Sequence, residues 1–261
     1  MKRVAFTIIL NGINHLKHKD FYQKMAQNFD LWVIVEGVAG NGGSTSWCRN
    51  VDQSFHSNFL SIDGTTEFLD NNKRDNVIVL RTLNQPWVSK DEQVNAAINI
   101  IKEKYTECFL WQVDVDEQWS LESLNLAEDL LLEKGGKTGC FFSNYFVGPK
   151  QQVFGEWGEN KTEPYRRLWH WKGELFKTHE PPQLNGRNGP GFLLPVRFDH
   201  YSYFFEADVI FKEKYYSGYD GIYDRWKQIQ KNTGVVHVRE LLGPNIRWSY
   251  TNSYIKYIDE N

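Results

Sequence analysis

The sequence predicts an α/β protein whose mostly parallel sheet is flanked by helices. Short apolar runs alternate with amphipathic helical stretches through the first 120 residues. Those runs are apolar at consecutive positions, as strands covered on both faces are. Capping residues mark the helix starts and glycines mark the stops.

Residues 4–10 (VAFTIIL) form the first buried strand, and residues 19–29 a helix with Phe21, Met25 and Phe29 four apart. Residues 31–35 (LWVIV) are the second strand, followed by a glycine-rich turn over 37–46 that is expected to be flexible. Residues 51–71 follow no clear period. Residues 76–80 (NVIVL) are the third strand. Ser89 and Glu92 have the spacing of a capping box, and Val94, Ala97, Ile98 and Ile101 fall on one face of the helix that follows. Residues 108–113 (CFLWQV) make the fourth strand. Ser120 with Ser123 opens a further helix carrying Leu124, Ala127, Leu130 and Leu131, which Gly135 and Gly136 stop.

The second half changes character. Residues 138–146, 152–157 and 165–171 read as strands, 180–190 as a proline- and glycine-rich loop, and 205–216 and 219–231 as helices. No linker, repeat or low-complexity tract divides the chain. The expectation is a single domain over 1–261, with 1–120 binding one ligand and 121–261 elaborating the other side of the site.

The chain has 261 residues, 41% hydrophobic and 24% charged, which suits a folded globular protein. A net charge of -3 argues against a nucleic-acid polymer as partner. Cys48, Cys108 and Cys140 are odd in number and widely spaced, without a zinc pattern, so reduced thiols in a cytoplasmic setting are expected. The basic tip and seven-residue apolar run at the start are too short for a leader or a membrane span, and no transmembrane segment is expected. Aromatic residues make up 15% of the chain, in numbers that suit both a core and sugar-stacking surfaces.

Chemistry concentrates at residues 111–117 (WQVDVDE), where an apolar strand ends in three carboxylates. Clustered carboxylates repel one another and lose hydration, and a hard divalent cation removes that cost. On an extended segment Asp114 and Asp116 point the same way and can share one Mn²⁺ or Mg²⁺, which keeps coordination positions for phosphate oxygens. Ligands of such sheets bind beyond the carboxyl ends of the strands, so Asn11, Glu36 and residues 80–82 belong to the same rim.

This order of elements resembles the GT-A glycosyltransferases, especially the family-2-like group. Glu36 stands where that group has an acidic residue after its second strand. Asn95 stands in its Ala-Arg-Asn segment, with the Arg missing. Residues 165–171 (YRRLWHW), Gly173 and residues 177–180 (KTHE) are similar to its Arg-Leu-Phe, Gly and His-Glu segment. The resemblance implies a nucleotide-diphospho-sugar donor, UDP-linked by preference, and a carbohydrate or glycosylated acceptor, in an inverting, metal-dependent reaction. It implies Asp116 as the most direct metal ligand and Asp114 at the ribose or a metal-bound water. Asn11, Glu36 and Asn95 would lie on the donor side. Glu180 would be the base, and His200 the third metal ligand with His179 as the alternative. Lys212 and Lys214 are further phosphate candidates. Two other readings stay open: a metal-dependent nucleotidyltransferase or phosphohydrolase, and a non-catalytic carbohydrate-binding module on a transferase fold.

Overall fold

A computed structural model describes residues 1–159, 164–187 and 191–258. Four parallel strands form one half of the main sheet: β1 (Arg3–Ile9), β2 (Leu31–Glu36), β3 (Val77–Leu80) and β4 (Cys108–Gln112), in the order β3-β2-β1-β4. Alternation along each strand divides its side chains between two cores. Ala5, Trp32, Ile34, Phe109 and Trp111 face one core, and Val4, Phe6, Val33, Val35 and Leu110 face the other. Helices α1 (Phe21–Asn28) and α3 (Leu121–Glu133) cover the first face, and α2 (Lys90–Lys104) the second. Both faces are therefore dry, and the fully apolar strand runs follow from that. Ser89 and Ser120 cap α2 and α3, accepting from Glu92 N at 3.2 Å and Ser123 N at 3.0 Å. Gly135 ends α3 with φ +60°, a conformation that glycine adopts without strain.

Beyond β4 the sheet turns antiparallel. Strand β5 (Thr138–Phe146) neighbours β6 (Gln151–Gly155) and β7 (Tyr165–Trp171), and β7 pairs antiparallel with β4. Strand β8 (Phe192–His200), absent from the sequence reading, lies parallel to β5 with a register shift between Leu193 and Arg197 that surrounds Pro195. Helices α4 (Glu206–Tyr215) and α5 (Ile222–Gln230) pack with Tyr145, Val153 and Trp157 in a third core. Strands β9 (Val235–His237) and β10 (Ser253–Tyr257) extend the sheet edge beside β6. The result is the mixed α/β architecture expected, with one sheet running through both halves. Residues 188–190 of the expected loop lie outside the described residues. Among the described residues no helix is long and apolar enough to cross a membrane.

The aromatic enrichment is mainly core. Trp32, Trp111, Trp169 and Trp171 are fully buried, and Trp119 stacks on Phe198 with ring centroids 4.5 Å apart.

Candidate functional site

The carboxylates at the end of β4 do not share one direction. Glu117 N donates to Asp114 O at 3.0 Å, so the chain turns at Val115 and Asp116 instead of staying extended. This corrects the expectation that Asp114 and Asp116 point the same way. The turn sends them to different partners.

Asp114 accepts from Arg167 Nη2 at 2.8 Å. The register of β4 with β7 pairs Leu110 with Trp169 and Trp111 with Leu168, and one further step sets Arg167 beside Gln112. The same guanidinium grips Glu117 through Nε at 2.8 Å and Nη2 at 2.6 Å, and it lies 5.2 Å from the Tyr165 ring centroid. Glu117 is fully buried. Burial pushes its carboxyl up, with Asp114 adding to the rise and Arg167 opposing it.

Asp116 faces His200, with Oδ2 and Nε2 3.5 Å apart. Backbone pairing places them: His200 lies opposite Glu117 across an antiparallel bridge, and Tyr201 N donates to Asp116 O at 2.7 Å. Burial alone would raise the Asp116 carboxyl, but His200, Lys212 and His15 hold it well below the usual range. The Nδ1 atom of His200 is buried and has no hydrogen-bond partner. Lys212 on α4 also lies 5.3 Å from the Tyr203 ring centroid. Lys214, two residues further on, is exposed, and its field reaches Asp52 and Asp220.

Among the described residues, no three His, Cys, Asp or Glu side chains are arranged to hold a metal ion. The 3.5 Å between Asp116 Oδ2 and His200 Nε2 would let the two side chains take neighbouring positions on a small divalent cation, whose remaining ligands would be water and phosphate oxygens. Asp114 is bound to Arg167 instead.

Three expected ligand-side residues have structural tasks. The Asn11 amide donates to Phe55 O at 2.6 Å and accepts from Ile62 N at 2.8 Å, tying down the loop beside β1. Glu36 is fully buried; it accepts from Arg81 Nε at 2.7 Å and Thr66 Oγ1 at 2.5 Å. Asn95 donates to Phe176 O at 3.0 Å and accepts from Phe176 N at 2.8 Å, pinning the short strand Phe176–Thr178 to α2.

That strand leads into His179 and Glu180. Asp91 on α2 accepts from His179 N at 2.6 Å and from Ser44 Oγ at 2.5 Å. Ser44 Oγ in turn accepts from Glu180 N at 3.2 Å. The glycine-rich turn is therefore pinned rather than flexible. At Gly43, with φ +63°, a Cβ would stand 2.1 Å from Asp91 Oδ2, and only glycine permits this approach. Glu180 reaches solvent, yet desolvation by the groups packed around it raises its carboxyl; Lys90 and Arg167 oppose the rise and Asp114 adds to it. Burial lowers His179 to about 4, so its imidazole is neutral at pH 7.

Arg167 lies within the segment 165–171, but the sequence alone gives it no task. The signal that finds it is physical: three carboxylates within four residues, with Glu117 fully buried, require a nearby cation, and Arg167 sits on a mostly buried neighbouring strand. The tyrosines around Glu180, namely Tyr216 and Tyr219, were not singled out either.

No family model matches the chain, and no curated protein matches it. Among solved structures, the crystal structure of S. aureus TarS 1–349 is similar at a TM-score of 0.43 and 10% identity, over 87% of this chain and 69% of that one.

Proposed function

We propose that this protein transfers a sugar from a nucleotide-diphospho-sugar, UDP-linked by preference, to an acceptor hydroxyl with inversion. The observation that carries the proposal is the facing of Asp116 and His200 at the carboxyl end of β4, the edge where ligands of such sheets bind. A divalent cation, Mn²⁺ or Mg²⁺, would be held by Asp116 and His200 and would supply charge neutralisation for the departing diphosphate.

This chain's own residues have separate tasks. Arg167 fixes Asp114 and Glu117 beneath the reaction centre. Lys212 brings a further positive charge into the field of Asp116, where phosphate charge would accumulate. Glu180 takes the proton of the acceptor hydroxyl. The hydroxyl oxygen bonds to the sugar C1 as the C1–O bond to the diphosphate breaks, and that electron pair leaves with the nucleoside diphosphate. A carboxyl raised above its ordinary value is a stronger base once ionised, which suits this task.

The test is a thermal-shift series with UDP, GDP and CMP and their sugar conjugates, each with Mn²⁺ and with EDTA. A ligand at a hundredfold excess over its Kd stabilises the fold by about 2.7 kcal/mol. A metal-dependent shift with one nucleotide, lost in Asp116→Ala while that variant stays folded, is the expected result. Absence of a shift with every nucleotide overturns the proposal.

A further inference from the structure

Trp47 stands apart from the buried tryptophans. Trp32, Trp87, Trp111, Trp119, Trp157, Trp169, Trp171 and Trp226 are buried, whereas Trp47 is 43% exposed. Its backbone is nevertheless fixed. Cys48 N donates to Thr45 O at 3.0 Å, Arg49 N donates to Tyr215 O at 2.7 Å, and Cys48 forms an isolated antiparallel bridge with Tyr216. The Trp47 ring packs on Tyr216 with centroids 5.1 Å apart and planes 32° apart. An exposed indole on an anchored turn, backed by a second ring, is a preformed aromatic surface that loses little freedom on binding.

That surface lies on the turn that is hydrogen-bonded to Glu180. At the other end of the same turn, Ser44 Oγ accepts from His179 N and Glu180 N, each at 3.2 Å. Tyr216 and Cys48, the neighbours of Trp47, lie in the field of Glu180. The ionic neighbours of Asp116 are a different set: His200, Lys212 and His15.

We propose that Trp47, backed by Tyr216, is the platform on which the pyranose ring of the acceptor stacks. The apolar C–H face of the ring lies on the indole, and a ring hydroxyl is presented to Glu180. This rests on the glycosyl-transfer reading, because in that reading Glu180 marks where the acceptor hydroxyl lies. Aromatic faces suit such rings because they remove C–H surface from water without requiring a charged partner.

The test uses the full chain with ¹⁵N-labelled tryptophan, titrated with the methyl pyranosides of glucose, galactose, mannose and N-acetylglucosamine. The Trp47 indole N–H resonance is identified by its loss in Trp47→Phe. The expected result is movement of that resonance with at least one glycoside. That glycoside binds about tenfold more weakly in Trp47→Ala and within about threefold of the parent in Trp47→Phe. The UDP thermal shift stays unchanged in both variants. If no glycoside moves the Trp47 resonance, the platform is overturned. If Trp47→Ala abolishes the UDP shift and spares the glycoside, the indole serves the nucleotide base and the acceptor assignment is overturned. If the parent protein gives no shift with any nucleotide, the transfer reading fails by itself, while the titration still decides whether Trp47 holds a sugar.

Discussion

Arg167 holds Glu117 through two of its nitrogens, Nε at 2.8 Å and Nη2 at 2.6 Å, and both side chains are buried. A buried pair is stabilising chiefly in the sense that neither member can be removed alone. The guanidinium also reaches Asp114, so one cation balances two carboxylates.

Replacing Arg167 by methionine leaves Glu117 buried without its counter-charge. The expected cost is about 3–5 kcal/mol, read as a lower urea midpoint. Arg167→Met combined with Glu117→Gln strands no charge at the fully buried position, leaves only the part-exposed Asp114 carboxylate without its partner, and should recover part of that loss. Equal midpoints for the single and double variants would show that Arg167 acts through packing alone.

The Asp91 clamp gives a pH dependence with a defined sign. Burial by itself raises the Asp91 carboxyl, but the Ser44 hydroxyl and N–H and the His179 N–H outweigh it and lower the folded value. A lowered folded pKa means stability that is present above the ordinary aspartate range and lost as pH falls through the folded value. Asp91→Ala removes acceptors for charge-assisted hydrogen bonds worth about 1.5–3 kcal/mol each before relaxation. The difference in midpoint between parent and variant should therefore be largest near pH 7 and shrink as pH falls below the ordinary aspartate range. Gly43→Ala should mimic the loss, because its Cβ would stand 2.1 Å from Asp91 Oδ2.

Much of this arrangement was legible in the sequence, and the failures have physical reasons. Strands 138–146 and 165–171 match β5 and β7 end for end, since their apolar runs are bounded by polar turns. Strand β8 was missed although Leu194, Val196, Phe198 and His200 alternate toward the interior. Pro195 argues against a strand by local rules, and here it is accommodated where the register with β5 shifts. The approach of His200 to Asp116 was anticipated only through the family resemblance, which offered His179 as the alternative. The diversion of Asp114 to Arg167 was not, because it depends on β7 lying next to β4, a pairing between residues more than fifty positions apart. Asn11 and Asn95 illustrate the same limit: a polar residue on the rim reads as ligand-binding until its amide is seen to be used at both ends.

Glu180 should set the acid limb of the activity profile. Only its ionised form accepts a proton, and its folded pKa is raised, chiefly by desolvation. The rate of transfer at low acceptor concentration should therefore climb with pH through a value above the ordinary glutamate range. Glu180→Gln should lose about 10²–10⁴-fold in rate, and its residual activity should lack that limb. An acid limb that survives unchanged in Glu180→Gln assigns the base elsewhere.

Asn95 offers a test of positioning without contact. Its amide clasps both backbone groups of Phe176, four residues ahead of Glu180. Asn95→Ala removes both hydrogen bonds, at a cost of about 1–3 kcal/mol in stability for the polar groups left without partners. Because the strand Phe176–Thr178 is what carries the chain to His179 and Glu180, loosening it should displace the carboxylate of Glu180 rather than the Asp116–His200 pair. A misplacement of about 1 Å at a reacting group costs roughly a hundredfold in rate. The expected pattern is a fall in kcat with the UDP thermal shift retained. A variant that loses the nucleotide shift together with the rate would place Asn95 on the donor side, as a direct contact and not as a clasp on the strand that bears the base.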